Sequence, residues 1–118
     1  MGKYVDGFVI PIAKDKVEEY GKIAQKAGEI WKEYGALDYV EAIGDDLEIK
    51  DMLSFKTIAG AGEDETVIFA WIVYESREER DRINAAVMED ARLKADMDKM
   101  PFDFKRMAYG GFKTLVAI

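Results

Sequence analysis

The sequence predicts one α+β domain over residues 1–118, a ferredoxin-like βαββαβ antiparallel sheet with helices on one face. Three observations lead there. Two segments carry apolar residues at helical spacing, four carry runs of aromatic and β-branched residues, and their order along the chain is β-α-β-β-α-β. A chain of 118 residues is long enough for one core and too short for two.

Residues 4–11, Tyr-Val-Asp-Gly-Phe-Val-Ile-Pro, read as the first strand, with Pro11 at its exit. Residues 14–34 read as an amphipathic helix. Val17, Tyr20, Ala24, Ala27, Trp31 and Tyr34 recur every three or four positions, and Ile23 and Ile30 widen the stripe. Gly35 supplies the stop, since glycine enters the left-handed region at little cost. Residues 37–43 alternate loosely as a second strand before the turn signal Gly44-Asp45-Asp46. Residues 45–65 read as an irregular surface excursion, with a short strand near residues 52–56 and the acidic tip Gly60-Ala61-Gly62-Glu63-Asp64-Glu65. Residues 66–74, Thr-Val-Ile-Phe-Ala-Trp-Ile-Val-Tyr, are the strongest strand. Ser76 with Glu79 is a capping box that opens a second helix, running to about Asp90 and turning Ile83, Ala86 and Val87 inward. A shorter helical piece over 91–98 presents Leu93 and Met97, Met100-Pro101-Phe102 ends it, and residues 106–117 form the last strand around Gly110-Gly111.

Successive strand side chains point to opposite faces, so the sheet can be split by parity. Residues 67–74 are apolar at every position, more than a sheet with one wet face requires. One parity set is mostly small or aliphatic and suits the face beneath the helices: Val5, Gly7, Val9, Val40, Ala42, Ile68, Ala70, Ile72, Ala108, Gly110 and Phe112. The other is bulkier and partly polar: Tyr4, Asp6, Phe8, Ile10, Tyr39, Glu41, Val67, Phe69, Trp71, Val73, Met107 and Tyr109. Two helices cannot cover both faces, and a soluble monomer rarely exposes so large an apolar patch. A homodimer is therefore expected, in which two sheets meet face to face and the second set lines a cavity between them.

The chain has no cysteine and no histidine. That excludes disulfides, thiolate nucleophiles, iron–sulfur clusters, histidine-bound zinc and histidine-dependent triads. With 24 acidic and 17 basic side chains, a net charge of −7 argues against nucleic acid as a partner. Basic residues are interleaved with acidic ones, as in Arg77-Glu78-Glu79-Arg80-Asp81-Arg82, which reads as a solvated helix face. No apolar run approaches the ~20 residues that span a bilayer. The N-terminus lacks the apolar stretch of a secretory signal, and Asp6 stands where a myristoylation motif has Ser or Thr. A cytoplasmic protein that binds no membrane is expected. Gly60-Ala61-Gly62 is no phosphate loop, and neither Asp45-Asp46-Glu48 nor Glu63-Asp64-Glu65 has calcium-loop spacing, so no metal and no cofactor are expected.

A set of motifs extends along essentially the whole chain: Tyr4-Val5-Asp6-Gly7-Phe8-Val9, Ile30-Trp31-Lys32-Glu33-Tyr34-Gly35-Ala36-Leu37, Trp71-Ile72-Val73-Tyr74-Glu75-Ser76, Met100-Pro101-Phe102-Asp103, and Met107-Ala108-Tyr109-Gly110-Gly111-Phe112. Together they resemble the YbaA-like bacterial proteins. The resemblance implies the dimeric α/β-barrel superfamily and a family of uncharacterised function, with no catalytic residues to carry over.

Asp6 and Glu41 share a parity face, in strands expected to be close neighbours. Two carboxylates beside aromatics can hold separated pKa values and act as acid and base, which makes them the candidate catalytic residues. The plainer account has them hydrogen-bonded to Tyr39, Tyr109 or Arg106. Phe8, Tyr39, Phe69, Trp71 and Tyr109 are the candidate binding residues for a small aromatic ligand, against simple packing of a dimer core. Two functions compete. One is a small-molecule-binding homodimeric barrel with weak or cofactor-independent enzymatic activity, its pocket inside the barrel or between sheet and helices. The other is a non-enzymatic stress-response or interaction protein whose aromatic face serves dimerisation only. A cavity above roughly 300 Å³ holding Asp6, Glu41 and Trp71 that remains once the dimer is built favours the first, and a filled core the second.

Overall fold

The computed structural model describes residues 2–118. Four strands, β1 (Tyr4–Ala13), β2 (Asp38–Ile43), β3 (Glu65–Tyr74) and β4 (Ala108–Lys113), form one antiparallel sheet in the order β2-β3-β1-β4. α1 (Val17–Tyr34) follows a 3₁₀ turn, α2 (Phe55–Ala59) lies in the excursion, and α3 (Arg77–Met88) and α4 (Ala91–Met97) follow β3. This is the expected ferredoxin-like α+β arrangement.

Local chemistry explains where the elements stop. Gly35 has φ 121°, and the Ala36 N–H donates back to the Trp31 carbonyl at 3.0 Å, closing α1 with a left-handed residue. Ser76 Oγ accepts the Glu79 N–H at 3.1 Å, while the Glu79 carboxylate is turned to Arg82. Ser76→Ala should therefore cost about 1 kcal/mol, seen as a lower urea midpoint with an unchanged slope.

Three expectations change. The excursion contains a helix, not a strand near 52–56: Ser54 Oγ accepts the Lys56 N–H at 3.0 Å, and Gly60 at φ 68° ends the turn. The last strand is shorter than 106–117, because Phe104–Arg106 form a 3₁₀ turn and pairing ends at Lys113, opposite the first residue of β1, Tyr4. Pro11 sits inside β1, beyond the last β1–β4 pair, Val9 with Ala108, so the N–H it lacks is missed by no partner in β4.

The largest correction concerns the faces. Asp6 pairs with Ile72, Phe8 with Ala70 and Ile10 with Ile68. Tyr39 also pairs with Ile72, Glu41 with Ala70, and Tyr109 with Phe8. Directly opposed residues share a face, so Glu41-Ala70-Phe8-Tyr109 and Tyr39-Ile72-Asp6-Gly111 run as two rows across the helix-covered side. The bulky parity set of β1, β2 and β4 thus lies under the helices, and only β3 contributes its other parity there. Both parities of β3 are apolar, so its sequence carried no signal for the alignment. Phe69 and Trp71 remain on the opposite, outer face, with ring centroids 5.7 Å apart, and Phe69 is 45% exposed. Phe55 of α2 packs edge-on against Phe69 there.

Two buried clusters hold the helices to the sheet. Ala27, Ile30 and Trp31 of α1 meet Ile72, Tyr74, Ile83, Val87 and Leu93 in one; Tyr20 and Ala24 meet Ile10, Ile12, Ile68 and Ala70 in the other.

Candidate functional site

Between the sheet and the helices lies a cavity of about 290 Å³. Its floor is the centre of the two rows, where Ala70 separates Glu41 from Phe8. Ala27 and Trp31 of α1 form one wall, Met88 of α3 and Met97 of α4 another, and Met100, Phe102, Phe104 and Met107 close the side leading to β4. Two small residues, Ala70 and Ala27, stand where larger ones would fill the space. The volume is about twice the ~150 Å³ that accommodates one benzene. Four of the six methionines border it, giving an apolar wall that adapts to shape.

At one end Asp6 is wholly buried. Its Oδ1 accepts Arg80 Nε at 3.0 Å and its Oδ2 accepts Asn84 Nδ2 at 3.2 Å. Asn84 Oδ1 in turn accepts Trp31 Nε1 at 3.0 Å and the Tyr74 hydroxyl at 2.9 Å. The Arg80 guanidinium stacks 4.9 Å over the Tyr4 ring and also donates to Asp81. Gly111 makes room for this group: a Cβ there would collide with the Arg80 guanidinium and the Tyr4 hydroxyl. Burial and the nearby Asp6 charge push the Tyr74 and Tyr109 phenols up.

At the other end Glu41 accepts one phenol at each oxygen, Tyr20 at 2.7 Å and Tyr39 at 2.7 Å. Burial, then the negative charge of Glu41, pushes both phenols well above the ordinary tyrosine value, so they are fixed as donors. Gly28 lets α1 approach this pair, since a Cβ there would stand 2.6 Å from the Tyr39 ring.

Both candidate carboxylates therefore border one cavity, but their strands are not neighbours. β3 runs between β1 and β2, so two strand spacings, roughly 10 Å, separate the backbones that carry them. Each has its own hydrogen-bonding shell. Of the candidate ligand residues, Phe8, Tyr39 and Tyr109 line the cavity, with Phe8 and Tyr109 stacked at 5.0 Å. Phe69 does not line it, and Trp71, outward-facing by register, borders it along the floor formed by β3. Arg106 joins neither carboxylate. It clamps Glu65 with two bonds of 2.8 Å and holds that carboxyl down at about 2.

Arg80, Asn84, Tyr20 and Trp31 were not singled out for the site from the sequence. Arg80 departs from the solvated run assigned to it: its side chain is only 17% exposed and turns inward. One signal was available. An aspartate amid an apolar strand needs a cation, and Arg80 and Asn84 are one helical turn apart beside the inward Ile83 and Val87.

A family model described as a protein of unknown function, DUF1428, matches residues 3–104. The chain belongs to the DUF1428 family. The uncharacterised protein YbaA of Escherichia coli strain K12 is 44% identical over 114 residues, covering 97% of each chain, and that of Shigella flexneri matches to the same extent. The DUF1428 chain also shares its fold with two solved structures. A dimeric ferredoxin-like protein from an uncultured marine organism superposes with a TM-score of 0.67 at 10% identity, over 100% of both chains. A NIPSNAP family protein of unknown function from Agrobacterium tumefaciens does so with a TM-score of 0.61 at 16% identity, over 96% of this chain and 88% of that one. Among the described residues of this DUF1428 chain, no helix is long and apolar enough to cross a membrane, and no group of three or more acidic side chains converges as a metal site.

Proposed function

We propose that this DUF1428 protein binds a small, flat, mostly apolar molecule of one or two rings in the cavity between sheet and helices, as a homodimer joined through its outer sheet face. The observation that carries the ligand is the 290 Å³ cavity with aromatic and methionine walls and a few polar groups at its ends. In this reading Glu41 is the polar group that meets the ligand, and Asp6 holds the opposite wall in place. The dimer is supported by Phe69 and Phe112, 45% and 62% exposed on the outer face, and by the dimeric ferredoxin-like protein that shares the fold.

Thermal shift with indole, a neutral two-ring probe, tests the binding site. At a concentration near 100 times its Kd, indole should add about 2.7 kcal/mol of stability, a rise in Tm of roughly 10 °C. Ala70→Leu, which fills the floor beside Glu41, should abolish that rise while the protein stays folded. An unchanged Tm with both indole and benzylamine, or an equal rise in Ala70→Leu, would defeat the proposal.

A further inference from the structure

We infer that the cavity selects a ligand bearing a positive charge, the protonated amine or quaternary ammonium of a one- or two-ring molecule, and that Glu41 supplies the counter-charge. This rests on the cavity being a ligand site and adds the charge class of what it takes.

The two carboxylates at the cavity differ in what neutralises them. Asp6 is paired with the Arg80 guanidinium at 3.0 Å. Glu41 has no such partner: among the described residues no Lys or Arg forms an ion pair with it, and its side-chain partners are the Tyr20 and Tyr39 hydroxyls. Phenols orient a carboxylate without cancelling its charge. A carboxylate has about four lone-pair positions, and two phenols occupy two of them, so each oxygen keeps acceptor capacity. Among the described residues no Lys or Arg borders the cavity. With Asp6 matched by Arg80, the cavity carries one uncompensated negative charge.

The remaining walls favour the same class. Phe8, Trp31, Tyr39, Phe102 and Tyr109 surround the space with aromatic rings, whose faces attract cations. Aromatic rings closed by a carboxylate recognise an ammonium group by its charge and size. An anionic ligand would meet both the ring faces and Glu41 with repulsion. A neutral one would displace water from the half-buried Glu41 carboxylate without supplying a counter-ion, at a cost in desolvation. Glu41, Tyr20 and Tyr39 also border a separate groove between α1 and β2, lined by Val17, Gly21 and Gln25. They form the partition between the two spaces, so the charge of Glu41 is felt on both sides.

The test uses four probes of nearly one shape and the full chain: benzylamine, benzyltrimethylammonium, benzyl alcohol and benzoate, by calorimetry at neutral pH. Benzylamine and benzyltrimethylammonium should bind the wild type at least tenfold more tightly than benzyl alcohol, with benzoate weakest. In Glu41→Gln the preference for the amine over benzyl alcohol should fall to within about threefold. Equal affinity for amine and alcohol in the wild type overturns the inference and leaves the cavity as a ligand site. A preference that survives in Glu41→Gln overturns the role of Glu41. If none of the four binds and indole also fails, the cavity is not a ligand site and both readings fall. The wild-type series needs no variant, so poor folding of Glu41→Gln leaves the test intact.

Discussion

Arg80→Ala should destabilise the protein by about 3–5 kcal/mol, the largest effect expected of a single substitution near the cavity. The cause is the residue left behind. Asp6 has no exposure to solvent, and its Oδ1 accepts from Arg80. Removing the guanidinium leaves a buried carboxylate with only neutral neighbours, the Asn84 amide and the Tyr74 and Tyr109 phenols, and these do not offset the desolvation of a charge. Loss of the stacked contact with Tyr4 adds to the cost. Arg80→Lys should fall between Ala and wild type, because an ammonium keeps the charge but lacks the planar fork that reaches Asp6 and Asp81 together. The double variant Asp6→Leu with Arg80→Met should be less damaged than Arg80→Ala, since it removes charge and partner together. Urea denaturation of the four proteins measures this. A loss under about 1 kcal/mol for Arg80→Ala would mean that Asp6 is not held as described.

Phe69→Asp should convert a dimer into a monomer. Phe69 stands on the outer face beside Trp71, with Phe55 on its edge, and is 45% exposed in the isolated chain. Placing a carboxylate without a partner in the proposed apolar interface costs several kcal/mol. A loss of about 4 kcal/mol corresponds to a thousandfold weaker dimer. Sedimentation at ~10 µM should give twice the chain mass for wild type and the chain mass for Phe69→Asp. The variant should keep its Tm rise with indole, because Phe69 faces away from the cavity. A wild type that sediments as a monomer at that concentration would remove the dimer from the proposal.

The same sheet illustrates what could be read in advance. Helix positions followed from periodicity: Tyr20, Ala24, Ala27 and Trp31 of α1 are buried as their spacing requires. Gly35 and Ser76 ended and began helices because one tolerates a positive φ and the other offers an oxygen to a free N–H. Asp6 and Glu41 were visible as polar residues among strand aromatics. Their partners were harder to see. Tyr20 is 21 positions from Glu41 and Arg80 is 74 from Asp6, and nothing local in the chain records which side chains meet across such distances.

The sequence by itself determined the order of elements, the ferredoxin-like class and the presence of two carboxylates in an aromatic setting, because each depends on residue type and short-range spacing. Only the tertiary structure decided which face each strand parity occupies, that β3 separates Asp6 from Glu41, and that one carboxylate is matched by Arg80 while the other meets only phenols. The physical reason is register. A strand that is apolar on both sides fits its neighbours equally well in two alignments when judged alone, and the helices packing over one side select between them.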